Sequence, residues 1–226
     1  SMIMQQINGI GRSYVRERRQ ACRRLVSEIY SPPRVTRELR KGRWRHLARG
    51  FALDLTVTDP HDGQPWDFSL QPKRDRARRL LREQKPYLLI GSPECRAFST
   101  WQALNQCRSR VPEAFERARV AAQVHMDFVA SLYWEQVDGG RYFLHEHPNW
   151  ATSWNLECVR AILAQDGVDR VRGDQCQYGQ QDESSSPIQK ATGWMSNAPK
   201  LLAELMRRCK GTRGRCTRPK GGTHVL

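Results

Sequence analysis

The stretch "PYLLIGSPECRAFS", residues 86–99, decides how the chain is read. Tyr87-Leu88-Leu89-Ile90 is a short unbroken apolar run that stops at Gly91. Such a run, bounded by turn residues, is the pattern of a strand buried on both faces in a parallel sheet. A Gly-Ser-Pro turn then delivers Cys95. Taken alone, that thiol has three readings: a small buried hydrophobe, a metal ligand, or a nucleophile at a strand end.

The flanking segments alternate in period. "FALDLTV", 51–57, reads as a strand, and "KRDRARRLLREQK", 73–85, as a helix. "PEAFERARVAAQVHMDFVASLYWEQV", 112–137, is the strongest helix, opened by Pro112 and ended by Asp138-Gly139-Gly140. "RYFLHEHP", 141–148, is a strand with a polar end. "SWNLECVRAILAQ", 153–165, and "APKLLAELMRRC", 198–209, are helices. "RSYVRERRQACRRLV", 12–26, reads as a basic helix, "RELRKGRWRHLA" as a short one, and "VDRVRGDQCQYG" as a further strand and its exit. Strands alternating with helices predict an α/β domain with a mostly parallel sheet and helices on both faces. In such sheets functional groups gather beyond the carboxyl ends of the strands, where "SPEC" and "HEHP" both fall.

Charge divides the chain into three parts. Residues 1–50 hold 13 Lys/Arg against 3 Asp/Glu, residues 207–226 hold 7 against none, and the net charge of the whole is +15. The segment between is close to neutral. The divisions are a basic N-terminal extension, 1–26, an α/β domain, 27–206, and a basic C-terminal tail, 207–226. Basic flanks of this kind favour a polyanion such as nucleic acid through phosphate contacts and counterion release. No apolar run is long enough for a membrane span, and no signal-peptide pattern is present. The seven cysteines are scattered and odd in number, which predicts reduced thiols in a cytoplasmic or nuclear compartment. Cys209, Cys216 and His224 lack a usual zinc spacing, and His145/His147 with Cys95 form only a loose set, so no metal is expected.

A second strand end supplies the partner that Cys95 needs. Glu146, between His145 and His147, offers a carboxyl beside the thiol. Here the residues resemble the cytosine-5 DNA methyltransferases. "GSPECRAFS" is similar to their "G-x-P-P-C-x-x-F-S" loop, and "FLHEHP" to their "E-N-V/P" strand end. "CQYG…PIQKATGWMSN", 176–197, is similar to the "C-x-Y-G…K-P-T-x-x-W-x-N" stretch of phage-like and mobile-element relatives. "SEIYSPPRVT" stands in the place of the first S-adenosylmethionine loop, and the ending at 209–224 resembles retrotransposon polyproteins.

The resemblance implies a Rossmann-like class I methyltransferase fold, with S-adenosylmethionine as cofactor and a flipped cytosine as substrate. Cys95 would be the nucleophile, Glu146 would hold the base, and Ser99 would complete the catalytic loop. Tyr30, Asp54, Asp67, Phe68 and Pro93 would contact the cofactor; read without the resemblance, Tyr30 is a core residue, Asp54 a cap or turn acid and Asp67 a surface turn. Arg96, Lys190, Arg207, Arg208, Lys210, Arg213 and Arg215 would hold nucleic acid, with Thr192 and Asn197 as further contacts. Three departures separate this chain from the pattern. "SPPR" replaces a glycine-rich loop and removes two amide donors. Glu94 stands beside the nucleophile, where it raises a thiol's pKa unless Arg96 offsets it. His147 replaces an Asn. The alternative implied by these departures is a methyltransferase-fold domain of a mobile-element polyprotein that binds nucleic acid without methylating it.

Overall fold

The structure is a computed structural model, and it describes residues 24–41, 44, 46–99 and 112–225. The expected basic helix at 12–26 lies outside these residues up to position 23. From Arg24 onward the chain is strand, so Arg24, Leu25 and Val26 are not helical.

The element order is β1 (Arg24–Ile29), α1 (Val35–Leu39), β2 (Leu47–Leu53), α2 (Gln71–Gln84), β3 (Leu88–Gly91), α3 (Pro112–Asp138), β4 (Tyr142–Pro148), α4 (Glu157–Leu163), β5 (Asp169–Asp174), β6 (Ala191–Ser196) and α5 (Pro199–Leu205). The strands form one six-stranded sheet in the order β2-β1-β3-β4-β6-β5. β1 pairs in parallel with β2 and β3, and β3 with β4, while β6 runs antiparallel to both β4 and β5. The sheet is therefore mixed, where the sequence predicts a mostly parallel one. The cause is "ATGWMS", 191–196. It has a central glycine and little β-branched character, so it does not read as a strand. The structure inserts it between β4 and β5. Two other boundaries also shift: β2 begins at Leu47, inside the helix expected over 37–48, and ends before the run at 54–57.

Side chains alternate across β4, and the alternation assigns the layers. Phe143, His145 and His147 face α3, where Tyr133 stacks on Phe143 at 4.6 Å and its hydroxyl lies 3.0 Å from His145 Nδ1. Ile29, Leu81, Leu89, Phe128, Val129, Leu132 and Met195 complete this core. Leu144 and Glu146 face the other way, toward the side where the Leu205 carbonyl of α5 covers Gly173 of β5.

α2 shows how local sequence sets position. Pro72 opens it, Lys73, Ala77 and Leu81 are its buried stripe, and Lys85 ends it in the left-handed region at φ 44°. The buried Lys73 ammonium is met by Asp59 at 3.1 Å and Asp62 at 2.7 Å, which fastens the turn at 59–65 to the helix.

Gly91, in the opening stretch, is required by packing. A Cβ at this position would lie 2.0 Å from the Tyr133 hydroxyl and 3.1 Å from Val129 Cγ2, both anchored on α3. Gly91→Ala is expected to destabilise the fold by about 1–3 kcal/mol through overpacking. Adding Tyr133→Phe should restore part of that loss. Urea unfolding of the two variants checks this, and an unchanged midpoint in Gly91→Ala would count against the packing account.

Candidate functional site at the carboxyl edge of the sheet

β1 and β3 are neighbours, but the chain leaves them in opposite directions along the sheet, β1 toward β2 and β3 toward β4. This reversal is the switch point at which open α/β sheets bind ligands. The "SPPR" loop follows β1 and the cysteine loop follows β3, so both border the crevice.

Cys95 is half-buried and free, and it caps a 3-10 turn, Arg96–Phe98, with its carbonyl accepting from the Phe98 amide at 3.0 Å. Phe98 is buried and approaches the His147 ring at 6.3 Å, so the loop leans on the α3 face. Pro93 is buried, while Glu94 and Arg96 are exposed and paired at 3.6 Å. A cleft of about 570 Å³ opens between the loop and the first half of α3, bordered by Glu94, Arg96, Ser99, His125 and Thr152.

Glu146 leaves the next parallel strand end on the opposite face. Its Oε1 accepts from Lys190 Nζ and Gln175 Nε2, each at 3.3 Å. Cys95 and Glu146 therefore share an edge of the sheet, yet among the described residues no hydrogen bond joins them. Lys190 is engaged with Glu146 rather than free for a phosphate.

The residues expected to hold the cofactor are occupied within the protein. Tyr30 adopts φ 56°, unusual for an aromatic residue, and is held there by its neighbours. Its ring meets Phe68 at 4.8 Å and Phe128 at 6.5 Å, and its hydroxyl lies 3.0 Å from His125 Nδ1. Burial pushes the Tyr30 phenol pKa up. Rings at such a separation are in direct contact, so the side of Tyr30 turned to Phe68 is not open to an adenine. Asp54 accepts from Thr56 N at 3.0 Å and Thr56 Oγ1 at 2.6 Å, and Asp67 accepts from Ser69 N at 2.9 Å. Both carboxylates close their own turns. Hydrogen bonds from Ser69 hold the Asp67 carboxyl below its ordinary pKa.

Glu28, which sequence reading passed over, organises the first loop. Its buried carboxylate accepts from the amides of Arg34, Val35 and Thr36 at 3.2, 3.1 and 2.7 Å, and from Thr36 Oγ1 at 2.6 Å and Ser31 Oγ at 3.2 Å. Those amides are the donors that an incoming carboxylate or phosphate would seek at a helix start. The prolines at 32–33 leave them to an internal acid. Taken together, these contacts do not fit S-adenosylmethionine in the expected place.

No protein-family model matches the chain, and no curated protein matches it.

His145 and His147, the flanks of Glu146, are fully buried and stacked at 5.4 Å with a 7° tilt. Trp154 lies edge-on to both, and its indole N–H donates to the Pro148 carbonyl at 2.8 Å. Neither ring nitrogen of His147 has a hydrogen-bond partner among the described residues. This pair packs the sheet and does not join Cys95 in a ligand set. Asn197 is likewise structural: Oδ1 accepts from Phe143 N at 3.0 Å and Nδ2 donates to Arg141 O at 2.9 Å. Thr192 is buried, its hydroxyl donating to the Lys190 carbonyl at 3.4 Å. The described residues do hold one set of convergent metal-ligand atoms, on Cys176, Cys209, Cys216 and His224. Sequence spacing could not find it, because Cys176 comes from a distant segment.

Burial lowers the His145 pKa well below its ordinary value, and burial, with Lys190 nearby, lowers that of His147 from 6.5 to about 4. Between those values the unfolded chain binds a proton that the folded one does not. Stability is then full above pH 6.5 and falls as the pH drops toward about 4, with His147 alone removing about 3 kcal/mol. His147→Leu should flatten this acid slope in urea unfolding followed from about pH 7.5 to about pH 4.5. The same slope in both proteins would show that His147 does not titrate as described.

Proposed function

We propose that this chain is a methyltransferase-fold domain that binds nucleic acid and does not use S-adenosylmethionine. The observation that carries this reading is the Tyr30 ring, expected to contact the cofactor and packed instead on Phe68 at 4.8 Å. The Glu28 carboxylate on the Arg34, Val35 and Thr36 amides points the same way. The fold part of the reading draws support from the strand order. With β6 left out, the order β2-β1-β3-β4-β5 is that of a doubly wound sheet lacking its outermost strand. A reversed last strand inserted near the end of such a sheet resembles the class I methyltransferase plan expected from the sequence.

The nucleic-acid part rests on charge. Arg207, Arg208, Lys210, Arg213 and Arg215 are all exposed on the C-terminal segment. Arg208 lies 3.4 Å from the buried Asp174, and Arg207 pairs with Glu204 at 2.5 Å, so part of this charge is already met. Lys210, Arg213 and Arg215 have no ion pair among the described residues. The segment would grip phosphates and leave sequence choice to other groups.

A second reading, an active cytosine-5 methyltransferase of minimal size, is favoured by one observation. Cys95 and Glu146 leave the carboxyl ends of adjacent parallel strands beside the switch point. In that reading Cys95 adds to the ring carbon beside the methylated position, and Glu146, released from Lys190, hydrogen-bonds the base.

Calorimetry with S-adenosylmethionine separates the two. No heat of binding is expected even at high ligand concentration, and no covalent adduct should form on DNA containing 5-fluorocytosine. Saturable binding with an adduct lost in Cys95→Ser would establish the enzyme instead.

The charge reading has its own measurement, the salt dependence of DNA affinity. Lys210→Gln, Arg213→Gln and Arg215→Gln together should weaken binding similarly for all sequences and make the log–log salt slope shallower by about 2–3. An unaltered slope would remove the segment from the interface.

A further inference from the structure

The C-terminal segment raises a question that its charge does not answer: what holds it in place. Residues 207–225 contain one aliphatic residue, Val225, and no helix or named strand. A segment of this composition has no apolar core of its own. It is nevertheless folded back on the sheet. Asp174 N, at the end of β5, donates to the Arg207 carbonyl at 2.9 Å, and the Cys209 amide donates to Asp174 Oδ2 at 2.8 Å. Beyond this, the chain makes a small hairpin. Arg215 bridges Thr223, the Cys216 amide donates to Gly222 O at 2.8 Å, and the His224 amide donates to Gly214 O at 2.7 Å.

The hairpin brings together three potential ligands, and the exit from β5 adds the fourth. Cys176 lies in the 3-10 turn Gln175–Tyr178 and is fully buried, and Cys216 is buried as well. The ligand atoms of Cys176, Cys209, Cys216 and His224 all lie within 4.8 Å of one another. Cys209 Sγ is 3.9 Å from Cys216 Sγ and 3.5 Å from His224 Nε2. A tetrahedral zinc ion with Zn–S of about 2.3 Å and Zn–N of about 2.0 Å sets its sulfurs about 3.8 Å apart and sulfur and nitrogen about 3.5 Å apart. The two edges at Cys209 match that tetrahedron, and the remaining edges are no longer than 4.8 Å.

The surroundings suit thiolates. Cys209 Sγ accepts from the amide and the hydroxyl of Thr217, each at 3.5 Å, and Cys216 Sγ accepts from the Arg218 amide at 3.5 Å. Gln177 Nε2 lies 3.5 Å from Cys176 Sγ and 3.7 Å from Cys216 Sγ. N–H donors aimed at sulfur orient the ligands and stabilise their negative charge, as outer-shell groups do in metal sites. Arg218, mostly buried, donates from its side chain to Gly221 O, Gln181 Oε1 and Ser185 O, which ties the hairpin to the loop at 181–185.

We infer that Cys176, Cys209, Cys216 and His224 form a structural Zn²⁺ site that clamps the basic C-terminal segment to the end of β5. The three thiols give up their protons on binding, and the neutral imidazole binds through Nε2. All four positions are filled by protein, so the site is closed and does not activate water. The long spacing from Cys176 to Cys209 follows from the role, because the metal joins two separate segments.

The test uses the full chain, purified reduced without chelator and reconstituted with Zn²⁺ alone. One zinc per chain is expected by mass spectrometry of the metal. Replacement by Co²⁺ should give the strong visible bands of a tetrahedral site and a thiolate-to-cobalt charge-transfer band. Cys176→Ser and His224→Ala should each lose the metal or weaken it at least tenfold. His224→Cys, which supplies another thiolate, and Cys158→Ser, which lies outside the cluster, should retain it. Chelation of the wild type should expose the Arg and Lys residues of 207–220 to trypsin, and added Zn²⁺ should protect them again. Three results would overturn the site: no stoichiometric metal in the reconstituted wild type, equal affinity in Cys176→Ser, or a Cys209–Cys216 disulfide in the reduced, reconstituted protein. The cobalt spectrum of the wild type decides the matter even where a variant fails to fold.

Discussion

Tyr133 presses on the end of β3 at a point where only glycine leaves room. Its ring stacks on Phe143 of β4, and its hydroxyl reaches His145 across the space that Gly91 leaves open. That contact sets the distance of α3 from the sheet. The cleft beside the cysteine loop lies between that loop and the first half of α3, so its width depends on the same contact. The buried histidine pair depends on it as well: His145 meets Tyr133, His147 stacks on His145, and Trp154 closes over both. The Tyr133 hydroxyl and His145 Nδ1 answer each other in this apolar layer, while the unpartnered nitrogens of His147 are a cost that ring packing must offset.

At the other side of the switch point, the decisive group is an acid the chain keeps for itself. A glycine-rich loop leaves its amides free for a ligand. The loop after β1 gives them to Glu28, and α1 begins on that carboxylate. This makes the loop rigid without glycine. Aromatic contacts among Tyr30, Phe68 and Phe128 do the same for the neighbouring slot. The cysteine loop, by contrast, borders the open cleft beside α3.

Legibility in the sequence followed the strength of local signals. β3 and β4 were readable from their apolar runs and α3 from its length, and these place Cys95 and Glu146 on neighbouring strand ends. β1 was partly hidden, because Arg24 and Leu25 continue a basic helical pattern while their backbone pairs with β2 and β3. β6 was hidden altogether: Gly193 weakens its strand character, yet that glycine is required because a Cβ there would lie 2.6 Å from Trp154. For Asp54, Asp67 and Tyr30 the sequence left two roles open, turn or core against cofactor contact, since a carboxylate that closes its own turn and one that binds a ligand use the same residue. Of the four-residue cluster at the C-terminal segment, Cys209, Cys216 and His224 were visible but set aside for their spacing, and Cys176 escaped because convergence of distant segments leaves no local spacing.

The placement of β6 also dictates an order of assembly. Among the described residues β5 pairs with no strand other than β6, and β6 must enter between β4 and β5. Until residues 191–196 arrive, β4 carries an open hydrogen-bonding edge and β5 has no neighbour at all. The unit β2-β1-β3-β4 can close first, from contacts nearer in sequence, and β6 then joins it across a longer loop. The C-terminal hairpin, which is anchored on β5, can dock only after that. On a chain emerging from its N-terminus, the open edge of β4 is therefore exposed to other strands for the time it takes to make the next fifty or so residues.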